Sequence, residues 1–87
     1  MAKPDLDRFL DPEGRLKSWP ARGKIQKYAL RWLASKLENG RSYSERELNL
    51  LLLKYHTFGD PALLRRELFI NRLVNRVTDG SQYWKAE

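Results

Sequence analysis

The apolar positions of the chain keep two different rhythms. From Ile25 onward, Ile25, Ala29, Trp32, Leu33 and Leu37 recur at spacings of three and four. That period predicts an amphipathic helix from about Ala21 or Arg22 to Glu38. Lys24, Lys27, Arg31 and Ser35 fall mostly on its other side, and Asn39-Gly40 supplies a stop. The same period returns at Leu48, Leu51, Leu52 and Tyr55, while Leu50 and Leu53 widen the apolar surface beyond one face. Ser44 and Glu47 stand at capping-box spacing, and Tyr43 and Leu48 at hydrophobic-staple spacing, so this second helix starts at Ser44. A third helix is expected from Pro61 to Asn71. Gly59 suits the turn before it, Asp60 is a good N-cap and Pro61 fits the first helical position. Leu63, Leu64 and Leu68 share one side of it, with Ile70 near the edge. Ala62, Arg65, Arg66, Phe69 and Arg72 share the other, and Glu67 sits toward the boundary.

After Asn71 the rhythm changes. Leu73–Val77 and Gln82–Lys85 are short strand-like runs on either side of Thr78-Asp79-Gly80-Ser81. Asp-Gly between such runs predicts a hairpin with a two-residue turn. Arg41-Ser42-Tyr43 is long enough only for a connector or a tiny strand. Upstream, Leu6, Phe9 and Leu10 suit one helical turn docked on the core, and Asp11-Pro12-Glu13-Gly14 suits a type I turn. Arg15-Leu16-Lys17 suits a short extended piece, and Trp19-Pro20 a break. The expected organisation is an N-terminal arm over residues 1–14 and a domain over 15–87. Its order is helix, connector strand, helix, helix, strand, strand. This is the order of an α+β winged helix-turn-helix, three helices plus a C-terminal β-hairpin.

Charge sharpens this picture. The chain has 87 residues and a net charge of +6. Residues 1–14 hold two basic and four acidic residues, and the remainder holds 15 basic and 7 acidic. From Arg15 to Lys36 there are seven cations and no acid. A one-sign stretch of this kind suits a polyanion, because neutralising phosphates drives non-specific affinity. The plain alternative is a solvated helix face. On the DNA reading the third helix enters the major groove. Arg65 and Arg66 would meet bases or phosphates, and Arg72 a phosphate. Thr57, or the N–H groups of Ala62 and Leu63, would hold another phosphate. Lys24, Lys27 and Arg31 would add backbone contacts. Phe69 on the same face suits a protein partner as well as a groove. The hairpin has Asp79 at its tip, with only Arg76 and Lys85 as nearby cations, so it reads as structural.

Catalytic chemistry finds few residues to carry it. There is no cysteine and one histidine, His56, placed to cap a helix end. No metal-ligand spacing, P-loop or dinucleotide motif is present, so the expectation is a non-enzymatic domain with no cofactor and no metal. The absence of cysteine, of a signal-peptide pattern and of a long apolar run leads to an expected cytoplasmic location with no membrane span.

Three stretches carry a family likeness: Arg15-Leu16-Lys17, Tyr43-Ser44-Glu45-Arg46-Glu47-Leu48-Asn49, and His56-Thr57-Phe58-Gly59-Asp60 followed by Leu64-Arg65-Arg66-Glu67-Leu68. Together they resemble the prokaryotic domain of unknown function 2087, from about residue 9 to residue 84. The resemblance implies a bacterial regulatory context, since that family occurs alone and fused to helix-turn-helix regulators of the arsenic-repressor type. It assigns no site. One departure stands out. The family usually has a glycine before the strand that begins at Leu73, and here Arg72 stands there. The expected function is weakly specific or sequence-independent DNA binding in transcriptional regulation. The rival is a protein-interaction or homodimerisation module that uses Leu50, Leu53 and Phe69.

Overall fold

A computed structural model of the chain describes residues 6–86. Residues 1–5, the start of the expected arm with Lys3 and Asp5, lie outside the described residues. The two best-specified helix starts form through their caps. Ser44 Oγ accepts the Glu47 N–H at 3.0 Å, and the Glu47 carboxylate accepts the Ser44 N–H at 2.9 Å. That reciprocal pair opens α2, Glu45–Leu53. The Ser44 N–H also holds the Glu47 carboxyl below its usual range. Asp60 Oδ1 accepts the Leu63 N–H at 3.1 Å and opens α3, Pro61–Ile70, with Pro61 in the first turn. Gly59 precedes the cap at a φ of 65°, where a side chain would be strained.

Helix α1 spans Gly23–Ala34, a turn shorter than its apolar pattern suggested. The Ser35 hydroxyl donates back to the Trp32 carbonyl. The N–H groups of Lys36 and Leu37 reach only three residues back, to Leu33 and Ala34. The Glu38 N–H leaves the helix for the Tyr43 hydroxyl at 3.0 Å. The last turn thus tightens and unwinds although Leu37 stays buried.

The strands are β1 (Ser42–Tyr43), β2 (Val74–Arg76) and β3 (Tyr83–Lys85), in an antiparallel sheet ordered β1-β3-β2. Ser42 pairs with Trp84 and Tyr43 with Tyr83; Asn75 pairs with Trp84 and Arg76 with Tyr83. Between β2 and β3 the chain turns over the expected residues, Thr78–Ser81, but as a four-residue loop without the two-residue turn expected from Asp79-Gly80. The Val77 N–H donates to the Gln82 carbonyl, and the Gly80 N–H donates to the Val77 carbonyl. Gly80 has positive φ while Asp79 does not. A two-residue type I′ turn needs positive φ at both. Asp79 instead accepts the Ser81 N–H at 2.9 Å.

Leu30, Leu33, Leu48, Leu52, Leu64, Leu68 and Val74 form the centre of the main core, with Tyr43 and Tyr83 closing it from the sheet side. Leu30 belongs to this core and Trp32 is half-buried at its edge, whereas Ile25 is half-buried outside it. A second cluster joins Leu6, Leu16 and Ala29. The single 3₁₀ turn Leu6–Phe9 packs there against α1. Residues 11–14 form the expected turn, with the Gly14 N–H on the Asp11 carbonyl at 2.9 Å. The Arg15 N–H donates to the Asp11 carboxylate, as does the Arg15 guanidinium, and both hold that carboxyl below its usual range.

The end of α3 has an unusual residue in a usual geometry. The Leu73 N–H donates to the Leu68 carbonyl and the Arg72 N–H to the Phe69 carbonyl, at 2.9 and 3.0 Å. These two bonds make a Schellman motif. Its left-handed position is held by Arg72, at a φ of 62°. A non-glycine residue there costs about 1–2 kcal/mol, and glycine gives back about 0.4–1 kcal/mol through the freer unfolded chain. Arg72→Gly is therefore expected to stabilise the domain by roughly 0.5–1 kcal/mol, read as a higher urea midpoint at unchanged slope. A lower midpoint would contradict this account of the helix end.

Candidate nucleic-acid interface

The arginines of α3 divide into two kinds. Arg65 does not lie on the open face with Arg66, as the helical pattern alone suggested. It stands three residues before buried Leu68 and shares that edge of the helix. Its side chain is only 18% exposed. Its guanidinium donates to Asn49 Oδ1, lies 3.3 Å from the Glu45 carboxylate and packs over the Tyr83 ring at 5.9 Å. Arg65 thus ties α3 to α2 and β3. Arg66 and Arg72 are exposed, and neither has an ion pair or side-chain hydrogen bond among the described residues. Phe69 is also exposed, and the guanidinium of Arg76 on β2 lies over its ring at 4.4 Å. Arg76 had no assigned role in the sequence, because nothing local to β2 marks that contact.

The turn before α3 is a poor anion seat. The Leu63 N–H is already taken by the Asp60 carboxylate, whose charge would repel a phosphate at that helix end. The Thr57 N–H donates to the Leu16 carbonyl at 2.9 Å, although its side chain is exposed. Beside it, His56 is buried and has both ring nitrogens engaged. Nδ1 is 2.7 Å from the Leu52 carbonyl, so it carries the proton, and Nε2 accepts the Asp60 N–H at 3.0 Å. His56 is a structural node between α2 and α3.

Lys24, Lys27 and Arg31 form an exposed stripe on α1, and none of them has an ion pair among the described residues. Lys27 and Arg31 line one side of an open groove of about 190 Å³; Asn71 and Leu73, on either side of Arg72, line the other. The basic stripe of α1 therefore meets the C-terminal end of α3. It does not meet the Thr57–Leu63 turn in that groove. Further open grooves lie between Arg8, Phe9, Arg22 and Ile25, at about 290 Å³, and beside Leu50 and Lys54, at about 220 Å³. All three are smaller than the roughly 300–1,000 Å³ of sites that enclose a small molecule. Among the described residues there is no cluster of potential metal ligands, and no helix is long and apolar enough to cross a membrane.

These features define a small α+β domain of three helices and a three-stranded antiparallel sheet, with a basic surface at the junction of α1 and α3. The chain belongs to the family described as an uncharacterised protein conserved in bacteria (DUF2087), which matches residues 15–85. No curated protein and no solved structure matches the chain.

Proposed function

We propose that this chain is a winged-helix-like DNA-binding domain of bacterial transcriptional regulation, with weak or no sequence preference. The observation that carries the reading is the junction of the α1 cation stripe with the end of α3, through Lys27, Arg31 and Asn71. The exposed cations of α1 then face a polyanion beside the end of α3, which favours binding through counterion release. The order of the elements is the one expected of a winged helix, and this supports a place for α3 near a groove. The first turn of α1 has no acid and no side-chain cap, so its dipole adds to the positive field. Within α3 the contact role passes to Arg66 and Arg72, because Arg65 is committed to Asn49 and Glu45.

Fluorescence anisotropy with a random-sequence duplex at about 50 mM salt tests the reading. Arg66→Ala is expected to weaken binding by about 1 kcal/mol, roughly fivefold. Arg65→Ala is expected to act mainly through stability, seen as a lower thermal midpoint. Undetectable binding by the wild-type chain, or unchanged affinity for Arg66→Ala, would contradict the proposal.

A second reading has its own observation. Leu50 and Leu53 on α2 and Ile70 on α3 are 52%, 43% and 60% exposed. Large apolar side chains left in water suit a homodimer or a regulator partner. Sedimentation velocity at several concentrations separates the readings, since a tight dimer that buries Arg66 and Ile70 would remove the proposed DNA face.

A further inference from the structure

We infer that the groove between α1 and the end of α3 is a seat for a phosphodiester of the nucleic-acid backbone, and that α1 is the element that follows the phosphate rail. The inference rests on the DNA-binding reading and deepens it. Its starting point is the lining. Lys27 and Arg31 stand four residues apart and project on one side of α1, while Asn71 and Leu73 close the other wall. Two cations, one amide and one leucine line it, and no acid does. The Asn71 Nδ2 is held on the Glu67 carbonyl at 2.8 Å, which fixes the amide against the helix end. At about 190 Å³ and open to solvent, the groove is too small to enclose a metabolite. It suits one protruding anionic group of an extended ligand.

Lys24 and Arg31, with Lys27 between them, are seven residue steps apart on α1, or about 10 Å at 1.5 Å per residue. One strand of a duplex presents a phosphate about every 3.4 Å of axis, and its winding sets successive phosphates further apart along the rail, so this stripe reaches about two of them. The middle of α3 offers less. Arg65 is tied down, Arg76 lies over Phe69, and Phe69 and Ile70 occupy the open face beside Arg66. Backbone contact by α1 therefore dominates over base contact by α3. This division makes the domain a reader of charge and shape, with little discrimination among sequences.

The test compares two charge-matched variants of the full chain. Lys27→Gln/Arg31→Gln removes the two groove cations. Arg46→Gln/Lys54→Gln removes two exposed cations, one on α2 and one at its C-terminal cap, away from the groove. All four side chains are exposed, so both variants should keep the wild-type circular dichroism spectrum and thermal midpoint. Affinity for a random-sequence duplex is measured from about 50 to 200 mM salt, where each phosphate contact contributes about 0.9 to the log–log slope. The groove variant is expected to lose about 0.9 from the slope, the share of the one phosphate it seats, and the α2 variant to lose little. If the wild type binds and the two variants lose slope equally, the seat is refuted while the DNA reading stands. If the wild type does not bind, both fall. A third arm uses inorganic phosphate at constant ionic strength as the probe. Thermal protection of the wild type that the groove variant lacks, with no difference in duplex slope, would mean a free-anion site and would overturn the backbone assignment.

Discussion

His56→Ala is expected to lower the stability of this domain by about 3 kcal/mol. A chain of this length has only about 4–13 kcal/mol in total, so the loss takes a large share. Two effects combine. The imidazole is buried, with 3% of its surface exposed, so its removal leaves a cavity against the Phe58 ring 4.6 Å away. It also leaves the Asp60 N–H at the start of α3 without its partner, and takes from the Leu52 carbonyl at the end of α2 the bond it accepts besides that of the Tyr55 N–H. A neighbouring side chain cannot replace both bonds, because they point in opposite directions from one rigid ring. Urea unfolding checks the value. A loss below about 1 kcal/mol, the size of a single exposed cap, would show that the ring does not join the two helices.

The second large effect is expected at Leu16. Its side chain is fully buried with Leu6 and Ala29, and its backbone holds the turn between α2 and α3. The Leu16 N–H donates to the Tyr55 carbonyl at 2.7 Å, and the Leu16 carbonyl accepts the Thr57 N–H at 2.9 Å. Leu16 also bridges to Leu10, which ties the N-terminal segment to the same point. Leu16→Ala should cost about 3–4 kcal/mol, within the range of buried leucine truncations. Because that segment and the turn share this residue, one cooperative transition by fluorescence and circular dichroism is expected. Two separated transitions would mean that the N-terminal segment unfolds independently.

Most of the elements were legible because their signals are local. Ser44 with Glu47, and Gly59-Asp60-Pro61, declare helix starts within a few residues, and both caps form as expected. The errors arise where a distant group competes. The apolar pattern of α1 continues to Leu37, but the Tyr43 hydroxyl takes the Glu38 N–H and the helix closes earlier. Asp79-Gly80 is a strong hairpin signal, yet the pairing of Val77 with Gln82 leaves four residues in the loop. Arg72 shows the reverse case. The helix end is set by the Schellman bonds strongly enough to hold an arginine in a left-handed conformation.

The candidate site was only half legible. A helical projection puts Lys24, Lys27 and Arg31 on one stripe, and they do lie exposed on one side of α1. The same projection groups Arg65 with Arg66, since it contains neither Asn49 nor Glu45. The groove joins residues 27 and 31 to residues 71 and 73. No spacing within the chain encodes that meeting, which follows from the packing of α1 against α3.

On the proposed reading, cations of α1 and of the α3 region present one surface to a polyanion. The salt dependence of wild-type binding to a random-sequence duplex tests it most directly. Lys24, Arg66 and Arg72, with Lys27 and Arg31 sharing one phosphate, would together give a log–log slope of about −3.6 between about 50 and 200 mM salt. A slope near zero, or no binding at about 50 mM salt, would contradict the account.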